Sequence, residues 1–182
     1  ILTFSPLLGL LLLLALKKEQ KAALRWTALA SSILTFGLSI WVLVQFNPQS
    51  AEMQLVYDGL WSQVAGAIIS FTFGVDGLSI LMVLLTAFLT PLTILSTWED
   101  GLQDKVKGFM AFFLLLEMGL LGVFLAQDLV LFYVFWEFTL IPMYFLIGIW
   151  GGGRRIYAAV KFFLFTMSGS VLMLLGILYM GL

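Results

Sequence analysis

The sequence predicts an all-α, polytopic transmembrane helix bundle of about six spans, and three observations carry that prediction. Of the 182 residues, 62% are hydrophobic and 10% are charged, with a mean hydropathy of +1.11. A soluble domain is nearer half apolar and a quarter charged. The apolar residues are gathered into long runs near the ~20 residues that cross a bilayer as a helix. Finally, the nine Lys and Arg residues fall at alternate junctions between those runs.

The first run is Ile1 to Leu16, stopped by Lys17-Lys18-Glu19-Gln20-Lys21. The second extends from about Trp26 to Phe46 and ends at Asn47-Pro48. The third covers about Val75 to Trp98 and is followed by the polar stretch Glu99 to Lys107. Gly108 to Ala126, Leu129 to Trp150 and about Ile156 to Leu182 complete the set. In lipid only helices and closed barrels satisfy the backbone, and the alternation of a barrel strand is absent. Domain organisation follows: residues 1–107 hold helices one to three with a long outer loop at about 47–74, and residues 108–182 hold helices four to six. The first run is short for a span and has no initiator Met, and the last stops at Tyr179-Met180-Gly181-Leu182 without a polar flank, so the chain reads as the N-terminal piece of a larger membrane protein. A signal peptide has its basic residues before the apolar run, whereas here they follow it.

Lys17, Lys18, Lys21 and Arg25 lie between runs one and two, Lys105 and Lys107 between three and four, and Arg154 and Arg155 between five and six, with Lys161 entering run six from that side. The other junctions have none. The positive-inside rule places the odd-numbered loops in the cytoplasm and the N-terminus on the outer face. Asn47 to Gly74 is too long for a simple connector. Leu60 to Ile69 reads as an interfacial helix with Trp61 at headgroup level, Ser70 to Phe73 as a short strand, and an irregular cap is an equal alternative.

Composition excludes much chemistry. With no Cys and no His, the chain offers no disulfide, Cys-ligated iron–sulfur cluster, His-ligated haem or Ser-His-Asp triad. No metal site is expected, there is no P-loop or dinucleotide fingerprint, and a net charge of −1 argues against nucleic acid as a partner.

Two carboxylates fall inside spans, Glu117 in the fourth and Glu137 in the fifth. A mid-membrane charge costs roughly 2.5–3.5 kcal/mol on insertion scales and marks a functional site by default. At ~1.5 Å per residue, Lys161, Glu117 and Glu137 lie about 7, 13 and 20 Å in from the basic side. The expectation is a staircase of the three along one hydrated seam between spans four, five and six, with Glu117 coupled more strongly to Lys161. Lys161 has the alternative of a snorkelling anchor. Pro142 removes a bond to the Phe138 carbonyl and distorts span five near Glu137. Asp76 and Asp128, at span N-termini, read as caps.

The segments FYVFWEFTLIPMYFLIGIWGG (Phe132–Gly152) and RRIYAAVKFFLFT (Arg154–Thr166) resemble helix five and the entry to helix six of the antiporter-like subunit M, or chain 4, of respiratory complex I. VDGLS (Val75–Ser79) is similar to the start of its third helix and GVFLAQD (Gly122–Asp128) to its four–five turn. The resemblance implies that Glu137 pairs with a helix-seven lysine in proton movement, that Lys161 belongs to the same polar path, and that Glu117 runs beside them. It further implies that residues 108–182 begin an antiporter-like repeat. Other membrane-arm subunits and the lipid bilayer are the implied partners, and flavin, iron–sulfur clusters and quinone reside in partner subunits rather than here.

The expected function is that of a non-redox, proton-translocating membrane-arm subunit of NADH:quinone oxidoreductase in a prokaryotic cytoplasmic membrane. Its alternatives are the equivalent subunit of a ferredoxin-driven photosynthetic complex in a thylakoid, a Mrp-type sodium/proton antiporter or membrane hydrogenase subunit, and a structural scaffold with neutral Glu residues.

Overall fold

A computed structural model describes residues 2–50, 52–64, 67–98 and 105–181. After a 3-10 turn at Leu2–Phe4, six helices follow among the described residues: α1 (Ser5–Ala15), α2 (Lys21–Gln45), α3 (Ser79–Ser96), α4 (Val106–Leu125), α5 (Leu129–Trp150) and α6 (Arg155–Gly181). Helices α2 to α6 are each long and apolar enough to cross a membrane, whereas the Leu2–Ala15 segment is shorter. The α5 bounds coincide with the apolar run, because Asp128 caps one end and Gly151 closes the other. Helix α2 starts before its apolar run and takes in Lys21 and Arg25, since both are good helix formers and a helix need not stop where the bilayer does. The polar residues 99–104 lie outside the described residues.

The long connection departs from expectation. Leu60 to Ile69 is not an interfacial helix: β2 (Leu60–Val64) and β3 (Ala67–Ser70) form an antiparallel hairpin, nested inside the antiparallel pair of β1 (Gln54–Tyr57) and β4 (Phe73–Val75). Val64, Ile68 and Ile69 are β-branched, which suits a strand, and pairing satisfies the backbone. The expected strand Ser70–Phe73 is divided, with Ser70 closing β3 and Phe73 opening β4. The Trp61 side chain lies outside the described residues.

Helix α4 is the hub, packing against α1, α2 and α3 on one side and α5 on the other, with α6 beyond α5. Two apolar clusters bind it to the first three helices. Leu13, Leu24, Ala28, Ile94, Met110 and Leu114 meet toward the end that bears the Lys and Arg residues, here the basic end. Val42, Val75, Ile80, Val83, Leu121 and Leu125 meet toward the opposite end. That opposite end carries Glu52, Asp58, Asp76 and Asp128 and is here the acidic end.

Polar contacts tie the connections to the bundle. At the basic end Lys107 Nζ donates to the Leu14 and Leu16 carbonyls at 2.9 and 2.6 Å, satisfying oxygens that the end of α1 leaves without helical partners. At the acidic end the Gln127 N–H donates to the Thr72 carbonyl at 3.0 Å. Asp128 accepts from the Val130 and Leu131 N–H groups with one oxygen and from the Ser70 N–H and hydroxyl with the other. One carboxylate thus caps α5 and anchors the β2–β3 hairpin. Asp76 accepts from the Leu78 and Ser79 N–H groups at 3.1 and 2.6 Å at the entry to α3. Both acids therefore serve the helix starts, as expected.

Close approach of α4 and α5 depends on glycine. A Cβ at Gly122 would collide with the Phe135 ring, and one at Gly119 would press on Thr139 and Phe138. Gly122→Ala should therefore destabilise the bundle by about 1–3 kcal/mol through overpacking, seen as a lower thermal midpoint in detergent. Gly37→Ala, where a Cβ meets nothing within 4 Å, should leave the midpoint unchanged or slightly raised.

The Asp76 turn predicts a pH effect. The Ser79 N–H bond, opposed by partial desolvation and aided by the Ser79 hydroxyl and Leu78 N–H, holds the Asp76 carboxyl below its ordinary value of 3.8. A depressed pKa stabilises the fold fully above the ordinary value and is lost as pH falls through the lower folded one. Fraying of the α3 start, followed by amide exchange at Leu78 and Ser79, should set in only below about pH 3.8, and Asp76→Asn should remove that acid dependence.

Candidate functional site

Successive side chains on a helix are ~100° apart, so neighbours already identified reveal which way each intramembrane charge points. On α4, the positions against α5 are Gly119 and Gly122, together with Phe112, whose ring stacks on Phe145. Glu117 is two residues from Gly119, about 200° around the helix. It faces α1, α2 and α3, between Leu114, which approaches Gly9 of α1, and Leu121 of the acidic-end cluster. Glu117 is only 1% exposed. The nearby side chain is Thr90 of α3, itself buried, whose hydroxyl donates to the Thr86 carbonyl at 2.9 Å. Neither carboxyl oxygen of Glu117 has a hydrogen-bond partner.

Glu137 points elsewhere. The α5 residues against α4 include Phe135, Phe138 and Thr139, while Tyr144 meets Phe163 and Gly148 meets Ala159 on α6. Glu137 lies on the Tyr144–Gly148 side by the same rotation, so it faces α6. Tyr133, one turn before it, interacts with both Glu137 and Ser170 of α6, and Ser170 is 4% exposed. Glu137 is half-buried, and its Oε1 is also without a partner. Pro142 is buried five residues on, and α5 continues through it as one helix.

Lys161 is exposed on the side of α6 away from α5. Its Nζ lies over the Tyr157 ring, 5.8 Å from the centroid, and its neighbours in two shallow recesses are residues of α6 and Arg154 just before it. The three sequence candidates are therefore not brought together in one seam. The body of α4 separates Glu117 from Glu137, and the body of α6 separates Glu137 from Lys161. The expected Glu117–Lys161 coupling is absent for the same reason.

Sequence reasoning missed Tyr133, Ser170 and Thr90. Tyr133 was legible from its four-residue spacing to Glu137, which puts both on one helix face. Ser170 and Thr90 come from other helices, and no spacing within one segment reveals them.

Residues 126–181 match the family described as NADH:quinone oxidoreductase/Mrp antiporter, transmembrane. NADH-quinone oxidoreductase subunit M of Rhodobacter capsulatus is 47% identical over 99% of this chain and 35% of its own length. NADH-ubiquinone oxidoreductase chain 4 of Arabidopsis thaliana is 40% identical over 97% of this chain and 35% of its own. A chain of respiratory complex I from Thermus thermophilus with bound NADH superposes with a TM-score of 0.75 at 31% identity, covering 96% of this chain and 34% of that one. A chain of an archaeal membrane-bound sulfane sulfur reductase shares the fold, with a TM-score of 0.80 at 23% identity over 96% of this chain and 35% of its own. The chain spans about a third of the length of the curated relatives it matches. Over that third it is similar to the antiporter-like subunit M, or chain 4, of NADH-quinone oxidoreductases.

Proposed function

We propose that this chain is part of a proton-translocating membrane-arm subunit of an NADH:quinone oxidoreductase, with Glu137 as its main proton-handling group. The observation that carries this is the placement of Glu137: a carboxyl in the middle of a span, at the α5–α6 interface, with one oxygen unpartnered and Tyr133 and Ser170 beside it. An acid in such a place is costly unless it serves a pathway or a partner. The Phe138 carbonyl, whose helical donor is replaced by Pro142, adds an acceptor one residue from the carboxyl.

In this reading the chain carries no electrons, and flavin, iron–sulfur clusters and quinone act in partner subunits of the membrane and peripheral arms. The lysine that pairs with Glu137 is supplied from beyond these residues. Lys161 reaches its role on the far face of α6, toward whatever covers that face, and Glu117 handles protons apart from Glu137. The basic end faces the cytoplasm by the positive-inside rule, in a prokaryotic cytoplasmic membrane. A second reading, a sodium/proton antiporter module, is favoured by the family description, which joins oxidoreductase and Mrp antiporter members. Dependence of transport on sodium without redox turnover separates it from the first.

Glu137→Gln preserves size and hydrogen bonding while removing titration. The assembled complex should keep its subunit composition and lose at least nine-tenths of proton translocation, measured by a pH-sensitive dye in sealed vesicles. Unchanged translocation would sink the assignment of Glu137. Orientation is checked by single cysteines in a chain with none of its own. An impermeant thiol reagent added outside intact cells should label Gln127→Cys and spare Arg154→Cys.

A further inference from the structure

Polar side chains that pack among α1, α2, α3 and α4 have no part in the Glu137 site. On α2, Ser31, Ser32, Thr35 and Ser39 are all buried, on the face that otherwise holds Leu24, Ala28 and Val42. Thr86 and Thr90 of α3, and Thr3 and Ser5 near the start of the chain, are buried as well. Most of these hydroxyls donate to a carbonyl of their own helix, as Thr35 does to Ser31 and Thr90 to Thr86, and so retain lone pairs able to accept. Both carboxyl oxygens of Glu117, whose neighbour is Thr90, and the Ser31 hydroxyl are buried without a hydrogen-bond partner, and Arg25 Nε near the start of α2 is a further such atom toward the basic end. The Glu117 and Ser31 atoms lie on the same side of α4. Ser31 is beside Gly9 where Leu114 reaches it, and Glu117 is one turn on from Leu114.

Buried polar atoms without protein partners are rare and point to an internal water or ion. An internal water typically makes about three hydrogen bonds to such groups. Here the available partners are one carboxyl, a free hydroxyl and the accepting oxygens of Thr90 and Thr35. The set contains no second carboxylate, amide oxygen or imidazole to build a cation shell, so water is the ligand it fits.

The same residues lead toward the acidic end. Ser5 and Thr35 share a hydrogen bond of 2.9 Å across α1 and α2. Two residues before Ser5, Thr3 forms part of the wall of a cavity of about 850 Å³, which also touches Leu38, Val42 and Leu125 and is bordered by β4. Toward the basic end the seam is closed by Leu13, Leu24, Ile94 and Met110, which form an apolar cluster.

We propose that Glu117 and Ser31 form the inner end of an internal-water site enclosed by α1 to α4, lined also by Thr35, Thr90 and Ser5, open toward the acidic end and separate from the site of Glu137. The proposal does not rest on proton transport, because hydration is measured directly.

The test compares two buried thiols in the full subunit within its membrane assembly. A thiol reacts as the thiolate, which forms only where water reaches it. Ser31→Cys should react with methyl methanethiosulfonate at least tenfold faster than Val123→Cys, which is 8% exposed against 9% for Ser31 but is packed with Leu131 and Phe135 on the α5 side of α4. Adding Thr35→Val to Ser31→Cys should remove most of that advantage, whereas adding Ser170→Ala, on the α5–α6 side, should leave it intact. A density map resolving ordered waters should place at least one within hydrogen-bonding distance of a Glu117 carboxyl oxygen. Equal reactivity of the two thiols, sensitivity to Ser170→Ala rather than Thr35→Val, or a Glu117 contacted only by carbon would each overturn the proposal. None of these outcomes bears on the Glu137→Gln result, so the two readings fail independently.

Discussion

The contact between α4 and α5 is the constraint on which the arrangement of charges depends. Gly119 and Gly122 present no side chain to the phenylalanines of α5, so the two helices meet along that face of α4. A helix has one rotation about its axis, and this contact consumes it. With the glycine face turned to α5, Glu117 is turned to α1, α2 and α3. The rings of Phe135 and Phe138 likewise set the rotation of α5 and turn Glu137 to α6.

In lipid the helix backbone is already satisfied, and the cost of misplacing a polar group falls on side chains. Many Ser and Thr residues in these helices meet it by donating to a carbonyl three or four residues back. Such hydroxyls are inexpensive to bury and still accept a bond. Carboxyls have no such local remedy, and each therefore marks a place where another helix, a water or a partner completes the site. The two carboxyls lie in different interfaces with different companions, a threonine for one and a tyrosine–serine pair for the other.

The ends of the bundle are held by a few groups that each do two things. Asp128 caps α5 and fastens the hairpin, while Lys107 closes α1 from α4. The nested hairpins lie at the acidic end, joined to the four–five turn by the bridge between Phe73 and Ala126. Basic residues are confined to the other end, so charge and architecture divide the molecule the same way.

The sequence by itself determined the helices, their number and the alternation of their ends, because burial in lipid demands long apolar segments and the nine basic residues punctuate them. It also revealed the two intramembrane carboxyls, the Asp76 and Asp128 turns and the family likeness carried by Phe132–Gly152. It misplaced Leu60 to Ile69, where a short apolar stretch suits helix or strand equally and only pairing with a partner strand decides. The shared seam of Glu117, Glu137 and Lys161 was drawn from depth alone. Depth along a helix is counted from the sequence, but rotation about its axis is not, since nearly uniform apolar faces leave no polar side to orient by. Packing of glycine against phenylalanine set that rotation, and with it which residues surround each carboxyl.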